Sequence, residues 1–218
     1  MIKKSLTVLL TIFALSAYSQ TYVGVKGGYT MSDIAFSPVQ NTRMLFADGF
    51  DYGLVFKYFN LKYFGFQSEL YMVNRGYRKP IDLAELGDTL YKRVNTYIEL
   101  PIFMQVRFNL KLFMIHFNAG PYIAYLVQAR EGDNSSGEYQ MSNISINILR
   151  DNRIDFGVLG GIGLSRDFKW GTFFAEGRVG YGYGDMQKHT YTGMPKQSKA
   201  VFQSVNVGYL YHFGNNVK

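Results

Sequence analysis

Apolar and polar side chains alternate along residues 97–108, YIELPIFMQVRF, where Glu99, Gln105 and Arg107 lie between apolar neighbours. Successive side chains of a β-strand point to opposite faces, so the segment predicts a strand with one apolar and one polar face. The same alternation recurs in seven further segments, which gives eight candidate strands in all. These seven segments are Val23–Tyr29, Phe50–Tyr58, Phe64–Arg75, Ile115–Tyr125, Arg153–Leu164, Phe173–Tyr181 and Ser204–Phe213.

The connections between these strands alternate between short and long. The short ones are residues 60–62, 109–111 and 167–171, and the long ones are 30–48, 78–92, 127–150 and 182–199. Outer-membrane barrels have tight periplasmic turns and longer outer loops, and each strand crosses with about 9 to 11 tilted residues. The pattern therefore predicts an all-β chain that forms a closed antiparallel eight-stranded transmembrane β-barrel with short periplasmic turns and long outer loops. Pro101, which cannot donate to a ladder, predicts a local bulge or bend.

Charges of both signs share the polar face of the strands. An eight-stranded barrel has an interior just wide enough for side chains to fill, so these groups are expected to meet as a paired network. We expect Glu99 to pair with Arg107 or with an arginine on an adjoining strand. The predicted interior network consists of Lys26, Asp51, Lys57, Glu69, Arg75, Glu99, Arg107, Arg153, Asp155, Glu176 and Arg178.

The N-terminus has the layout of a secretory signal peptide. Lys3 and Lys4 precede an apolar run that ends near Ala17, and small residues lead to a predicted cleavage after Ser19. Residues 1–19 are thus predicted to be the signal peptide and residues 20–218 the barrel domain, exported to the cell outer membrane. Cysteine is absent, so neither a disulfide framework nor a lipidated cysteine is expected.

Composition supports a membrane location and argues against nucleic acid as a partner. The chain has 18 Tyr and 18 Phe, and amphipathic aromatic side chains are typical of membrane interfaces. Without the two leader lysines the formal charge falls from +7 to +5, and the basic residues are dispersed among acids. Nucleic-acid binding would require a clustered basic face.

Five strings at successive strand positions carry a family resemblance. They are YIELPIFMQVRF, FNAGPYIAYL (117–126), DFGVLGGIGL (155–164), FAEGRVGYGYGD (174–185) and VNVGYLYHF (205–213). Together they resemble the PorT-type outer-membrane β-barrel domain, over essentially the whole chain after the leader. The resemblance implies a small outer-membrane barrel, and its founding type is associated with protein secretion. One departure is that Phe213, the predicted end of the last strand, is followed by five further residues.

No residue pattern indicates catalysis. His116 and His212 fall on the polar face of strands, His189 falls in a loop, and no serine lies in a recognisable nucleophile context. The acidic residues of loop 78–92 match no calcium-loop spacing. We therefore predict no catalytic residue, no metal site and no cofactor.

The expected function is that of a non-enzymatic integral outer-membrane protein with a scaffold or partner-binding role, and the resemblance adds accessory duty in protein secretion. Two alternatives are a narrow channel for a small solute and an exported soluble β-barrel that binds a ligand. The predicted partners are outer-membrane lipid, lipopolysaccharide and secretion or envelope proteins. Lys188, His189, Lys196 and Lys199 in loop 182–199 are candidates to contact lipopolysaccharide phosphates.

Overall fold

A computed structural model describes residues 20–37, 45–81, 89–147, 149–188 and 196–213, and nearly all of them are β-structure. The predicted signal peptide, His189 and the tail after Phe213 lie outside this part of the chain. The strands are β1 (Gln20–Ser37), β2 (Leu45–Phe59), β3 (Phe64–Pro80), β4 (Leu90–Leu110), β5 (Phe113–Asp133), β6 (Ser142–Ile144), β7 (Ile154–Phe168), β8 (Gly171–Asp185) and β9 (Gln197–Phe213). Within the described ranges, no helix is long and apolar enough to span a membrane.

Eight of the strands form a closed antiparallel ring. The order around it is β4, β3, β2, β1, β9, β8, β7 and β5, and the pairing of β5 with β4 closes the ring. The first and last strands are neighbours, since Thr21 pairs with Phe213. This architecture confirms the predicted barrel, and β9 ends at Phe213 as expected. Closure also removes sheet edges, so the ladders satisfy the backbone hydrogen bonds that lipid could not.

The barrel is taller than the sequence pattern predicts. Tight connections at residues 60–63, 111–112 and 169–170 form one end, which we call the turn end. At the opposite end, the loop end, strands of 15 to 21 residues run on into segments predicted to be loops, so the long connections are shorter than expected. A crossing needs only about 9 to 11 residues, so the barrel continues past the bilayer at the loop end.

A ninth strand lies outside the ring. β6 pairs with the end of β5 through Ala129, Arg130 and Glu131, within the connection that leads to β7. Its three residues are too few to produce the periodicity by which the other strands are recognised. No sequence pattern therefore predicts β6.

The two faces of each strand meet different surroundings. Leu100 is 41% exposed on the outside, whereas neighbouring Glu99 is fully buried inside. Val25 and Val207 are likewise 54% and 62% exposed on the outer surface. A soluble barrel would bury the apolar parity, so this arrangement contradicts the soluble alternative and fits a barrel surrounded by lipid.

Glycines in β7 make room for long interior side chains. A Cβ atom at Gly161 would lie 2.9 Å from Cγ of Arg178, and one at Gly157 would lie 2.1 Å from the backbone oxygen of Tyr181 and 2.8 Å from Cε1 of Tyr122. All three distances are shorter than real Cβ contacts. The glycine pattern of this strand is therefore tied to the large side chains that cross the lumen beside it.

The sequence predicts a bulge or a bend at Pro101, and the structure shows no bulge there. Pro101 pairs with Tyr122 in the same register that Leu100 keeps with Ile123. The register shift in this ladder lies nearer the loop end, between Thr96 and Tyr97, where β5 has the extra residue Val127. Pro101 is tolerated because the pairing of β4 with β3 is interrupted between Ser68–Ile102 and Tyr71–Glu99, where Pro101 has no N–H to donate. Its carbonyl accepts a bond from Ser68 Oγ at 3.3 Å.

The outward position of Leu100 leads to a stability prediction. Leu100→Arg would place a charge on the lipid-facing side of β4, and it should cost up to about 2 to 4 kcal/mol of unfolding free energy, the range for a charge at the bilayer midplane. Leu100→Met, which keeps the apolar contact, is the matched control and should change stability little. Urea unfolding in lipid vesicles measures both. An Arg variant as stable as the Met variant would contradict the lipid-facing assignment.

Candidate functional site

Two basic residues, Lys26 on β1 and Arg178 on β8, meet at Glu69 on β3. Lys26 Nζ lies 2.8 Å from Glu69 Oε2. Arg178 on β8 donates to both carboxylate oxygens, from Nη1 to Oε2 at 2.8 Å and from Nη2 to Oε1 at 2.5 Å. The side chains of all three are at most 2% exposed. This bidentate geometry is the strong form of arginine–carboxylate pairing, and it offsets much of the cost of burying the charges.

Amide side chains extend this pairing into a closed ring, which we call the lumen ring. Gln67 donates to Glu69 at 2.5 Å, and Gln105 donates to Gln67 at 3.0 Å and to Asn118 at 2.6 Å. Asn118 in turn donates to Glu176 at 2.9 Å, and Glu176 forms an ion pair with Arg178. Members of the ring come from β3, β4, β5 and β8, so it crosses the lumen. Its six residues are Gln67, Glu69, Gln105, Asn118, Glu176 and Arg178.

A second cluster lies nearer the loop end, around Arg75. Its guanidinium forms ion pairs with Glu99 on β4 and, at 3.2 Å, with Asp155 on β7. Tyr71 donates its hydroxyl hydrogen to Glu99, and Tyr122 donates to Asp155 at 2.9 Å. Every acid in the cluster therefore has at least two donors. The partner of Glu99 is Arg75 on the adjoining strand rather than Arg107.

The aromatic side chains around this cluster exclude water. The guanidinium carbon of Arg75 lies 3.6 Å from the ring centre of Phe202 and 4.9 Å from that of Tyr122. In the middle of the barrel, Phe103 on β4 is fully buried, and Arg178 lies 4.8 Å above its ring. Cation–π contacts of this kind stabilise a desolvated cation by about 2 kcal/mol.

The structure places three of the other predicted interior residues inside the barrel, but apart from these clusters. Asp51 is buried and accepts from Thr30 Oγ1 at 2.7 Å. Lys57 is buried with its Nζ 4.6 Å from the ring centre of Phe174. Arg107 lies near the turn end, where it donates to Gln20 at 2.6 Å.

The prediction for Arg153 is wrong. This residue precedes the first residue of β7, so strand alternation does not govern its side chain. It is exposed, and its Nη1 donates to Tyr125 Oη at 3.0 Å on the outer surface. The sequence pattern extended the strand by one residue too many at this end.

At the loop end, the segment that precedes β7 is tied to β4 and to the residues that follow β8. Arg93 on β4 forms a buried ion pair with Asp151, with Nη2 2.7 Å from Oδ1, and Arg150 binds the same carboxylate at 3.1 Å. Burial alone would lower the pKa of Arg150, but the hydrogen bond to Asp151 and its negative charge raise it overall. Asp151 also accepts the backbone N–H of Asn147 at 3.0 Å. The connection is thereby fastened across the lumen.

Sequence reasoning missed several members of the interior. Gln67, Gln105 and Asn118 lie on the polar parity of their strands, but the predicted network was restricted to charged side chains and so left these amides out. The same parity would have identified Phe103 as an inward residue. Asp151 gave no signal, because it lies in an irregular segment without periodicity.

Around His116, the described side chains leave little room for a substrate. The cavity beside His116 and Ser165 has a volume of about 20 Å³, which is enough for one water molecule. His116 Nε2 lies 3.5 Å from Glu176, on the side of the lumen ring. Among the described residues, no group of three or more histidine or acidic side chains is arranged to hold a metal ion.

A comparison with protein families matches residues 18–187 to the outer membrane protein beta-barrel domain. The chain belongs to this family. It is therefore an outer-membrane β-barrel protein, as its outward apolar face and closed ring require. The match is to the general barrel family, and the narrower PorT-type assignment stays a prediction. No curated protein matches the sequence.

Among solved structures, the chain is similar to OprG from Pseudomonas aeruginosa, with 13% identity over 91% of this chain and 97% of that one and a TM-score of 0.49. Ail of Yersinia pestis, solved in complex with the heparin analogue sucrose octasulfate, has 13% identity over 88% and 99% of the two chains and a TM-score of 0.43. Neisserial surface protein A has 14% identity over 86% and 95% and a TM-score of 0.41.

The buried position of Glu99 leads to a second prediction. Glu99→Leu leaves the Arg75 cation with one partner fewer inside the barrel, and it should cost about 3 to 5 kcal/mol of unfolding free energy. Glu99→Gln keeps an acceptor for Arg75 and Tyr71, so its cost should be smaller. Urea unfolding in vesicles compares the two variants. Equal stability of Glu99→Leu and the unmodified protein would refute the buried pair.

Proposed function

We propose that this protein is a non-conducting, non-enzymatic scaffold of the outer membrane whose loop end binds partners. The observation that carries the proposal is the lumen ring, whose hydrogen bonds link β3 and β4 to β8 across the barrel axis. A channel would need these bonds to break and leave buried charges unpaired, which is costly. The ring therefore favours a plugged scaffold over the alternative of a narrow solute channel.

The loop end has the features of a binding surface, which we call the platform. Strands continue beyond the bilayer there, β6 extends the sheet beside β5, and the Arg93–Asp151 pair fastens the connection that follows β6. Function on rigid scaffolds usually resides in such connections. Because the platform stands above the membrane surface, it can reach other envelope proteins.

Basic residues at the platform suit an anionic partner. Lys188 and Lys196 flank the β8–β9 connection, and neither forms an ion pair with any residue of the described chain. Lys199 differs, because its Nζ lies 3.4 Å from Asp185. Lipopolysaccharide phosphates are the anions nearest to such a surface in the outer membrane. His189, a further candidate contact, lies outside the described residues.

Accessory duty in protein secretion is the finer role that we propose. Its support is the resemblance of the five strand strings to the PorT-type domain. In this role the barrel would anchor a secretion assembly in the outer membrane, and the secreted proteins would not pass through its lumen. The filled lumen is compatible with a role in which secreted proteins do not pass through the barrel.

Planar-bilayer recording tests the closed lumen. The purified protein should give no large stable conductance, because the lumen ring fills the barrel. The matched variant carries both Glu69→Ala and Arg178→Ala. It removes both charges of one ion pair and should raise the frequency of channel openings. A porin-sized conductance of the unmodified protein would contradict the proposal.

A deletion strain tests the secretion role separately. Loss of the gene should cause exported proteins to accumulate in the periplasm, and the unmodified gene should restore their release. The Glu69→Ala and Arg178→Ala variant, if it reaches the membrane, should also restore release, since cargo does not pass through the barrel. Normal secretion in the deletion strain would remove this role while leaving the closed scaffold intact.

A further inference from the structure

A polar cavity lies at the rim of the turn end, between inward-facing Met114 and Ser165 and outward-facing Phe113 and Arg166. It has a volume of about 160 Å³, and Asn109, Lys111, Arg166 and Asp167 line it together with four neighbours. Lys111 is in the turn between β4 and β5, and Arg166 is near the end of β7 with its side chain on the outer face. Among the described residues neither cation has a carboxylate within ion-pair distance. Asp167, the acid nearby, accepts the hydroxyl of Thr172 at 2.5 Å.

An apolar groove adjoins this cavity. Its volume is about 730 Å³, and it shares Phe113, Ser165 and Arg166 with the polar cavity. The groove crosses the outer face of β7, β8, β9 and β1, where the small residues Ala175 and Gly27 lie among larger ones. Its other outward-facing lining residues are Val25, Leu164, Phe168, Phe173, Val207 and Tyr209.

Aromatic side chains hold Arg166 at the junction of the polar cavity and the apolar groove. Its guanidinium carbon lies 5.5 Å from the ring centre of Phe113 and 5.2 Å from that of Phe168. Phe168 stacks on Trp170, with ring centres 5.6 Å apart, and Trp170 also stacks on Tyr209 at 5.8 Å. Aromatic clusters of this kind mark the level of the membrane interface, so Arg166 lies at headgroup depth.

We propose that this composite site binds an anionic glycerophospholipid of the periplasmic leaflet. The phosphate would be held by Arg166 and Lys111 in the polar cavity, and the acyl chains would lie in the groove. Charge complementarity supports this occupant, because two cations without carboxylate partners face the level at which lipid phosphates lie. The groove supplies the apolar surface that the acyl chains need.

A second groove on the same side of the barrel provides a comparison. Its volume is about 540 Å³, and Gly160, Gly177 and Val205 are among its lining residues. The cation that lines it is Arg178, whose guanidinium is turned into the lumen toward Glu69 and Glu176. This groove can accept an acyl chain but has no cation to hold a headgroup. It should therefore show no preference for anionic lipid.

The single tryptophan of the chain makes the proposal measurable. Trp170 lies beside groove residue Phe173, with ring centres 5.2 Å apart, so a bromine atom on a bound acyl chain should quench its fluorescence. The protein is reconstituted in vesicles that contain either brominated phosphatidylglycerol or brominated phosphatidylcholine at the same mole fraction. We expect stronger quenching by phosphatidylglycerol. Equal quenching by the two lipids would overturn the proposal.

Headgroup variants test the two cations. Arg166→Gln and Lys111→Gln should each lower the preference for phosphatidylglycerol by about fivefold, the contribution of one cation near an anionic surface. Arg153→Gln, which removes an exposed cation at the loop end, is the matched control and should leave the preference unchanged. An undiminished preference in the double variant of Arg166 and Lys111 would refute the site.

Groove variants test the acyl-chain position. Gly27→Leu fills the proposed groove without backbone strain, since a Cβ there would lie 3.6 Å from its nearest neighbour, the Asp51 carbonyl. It should weaken quenching by phosphatidylglycerol. Gly177→Leu fills the second groove, where a Cβ meets nothing within 4 Å, and should have no such effect. Equal losses in both variants, or displacement of the brominated lipid by lipopolysaccharide alone, would count against the proposal.

Discussion

The buried pairing of Arg178 with Glu69 and Glu176 is the interaction on which the interior depends. Hydrocarbon surrounds the barrel, so a polar side chain that faced outward could find no partner there. The polar parity must therefore face the lumen, where it has to be satisfied by other side chains. Arg178 meets this requirement because its planar fork of donors can serve two carboxylates at once. The amides of the lumen ring satisfy the acceptors that remain, and the glycines of β7 provide the space.

The sequence was sufficient to predict the fold, because two independent patterns agreed. Alternation marked eight strands, and connection lengths separated the turn end from the loop end. It failed where a strand had no amphipathic contrast. In the extensions of β1 and β9, the apolar residues Ile34 and Ala200 are buried inside the barrel, and the polar residues Asp33 and Lys199 lie on the opposite face. The polarity contrast between the two faces is therefore lost. Segments such as 127–133 therefore looked like loops although they continue a ladder.

The interior was predicted less completely than the fold. Parity is a property of one strand, so it could select the charges that face inward, including Arg75 and Glu99. Which cation meets which acid depends on the stagger between strands, and no single strand carries that information. The pairing of Arg75 with Asp155 joins residues 80 positions apart and could be found only in the closed ring. Arg153 shows a second limit of strand parity as a predictor, because alternation does not apply to a residue just outside its strand.

The long sequence separations within the lumen ring constrain how the protein can be assembled. Glu69 and Arg178 are 109 residues apart, and they lie on strands from the two halves of the chain. A half-inserted intermediate that contained only β1 to β4 would present Lys26 and Glu69 to lipid without Arg178. Such an intermediate is costly, so insertion of the strands and pairing of their buried charges have to proceed together. The charge network thus favours concerted insertion, in which the strands form a nearly complete sheet before they cross the bilayer.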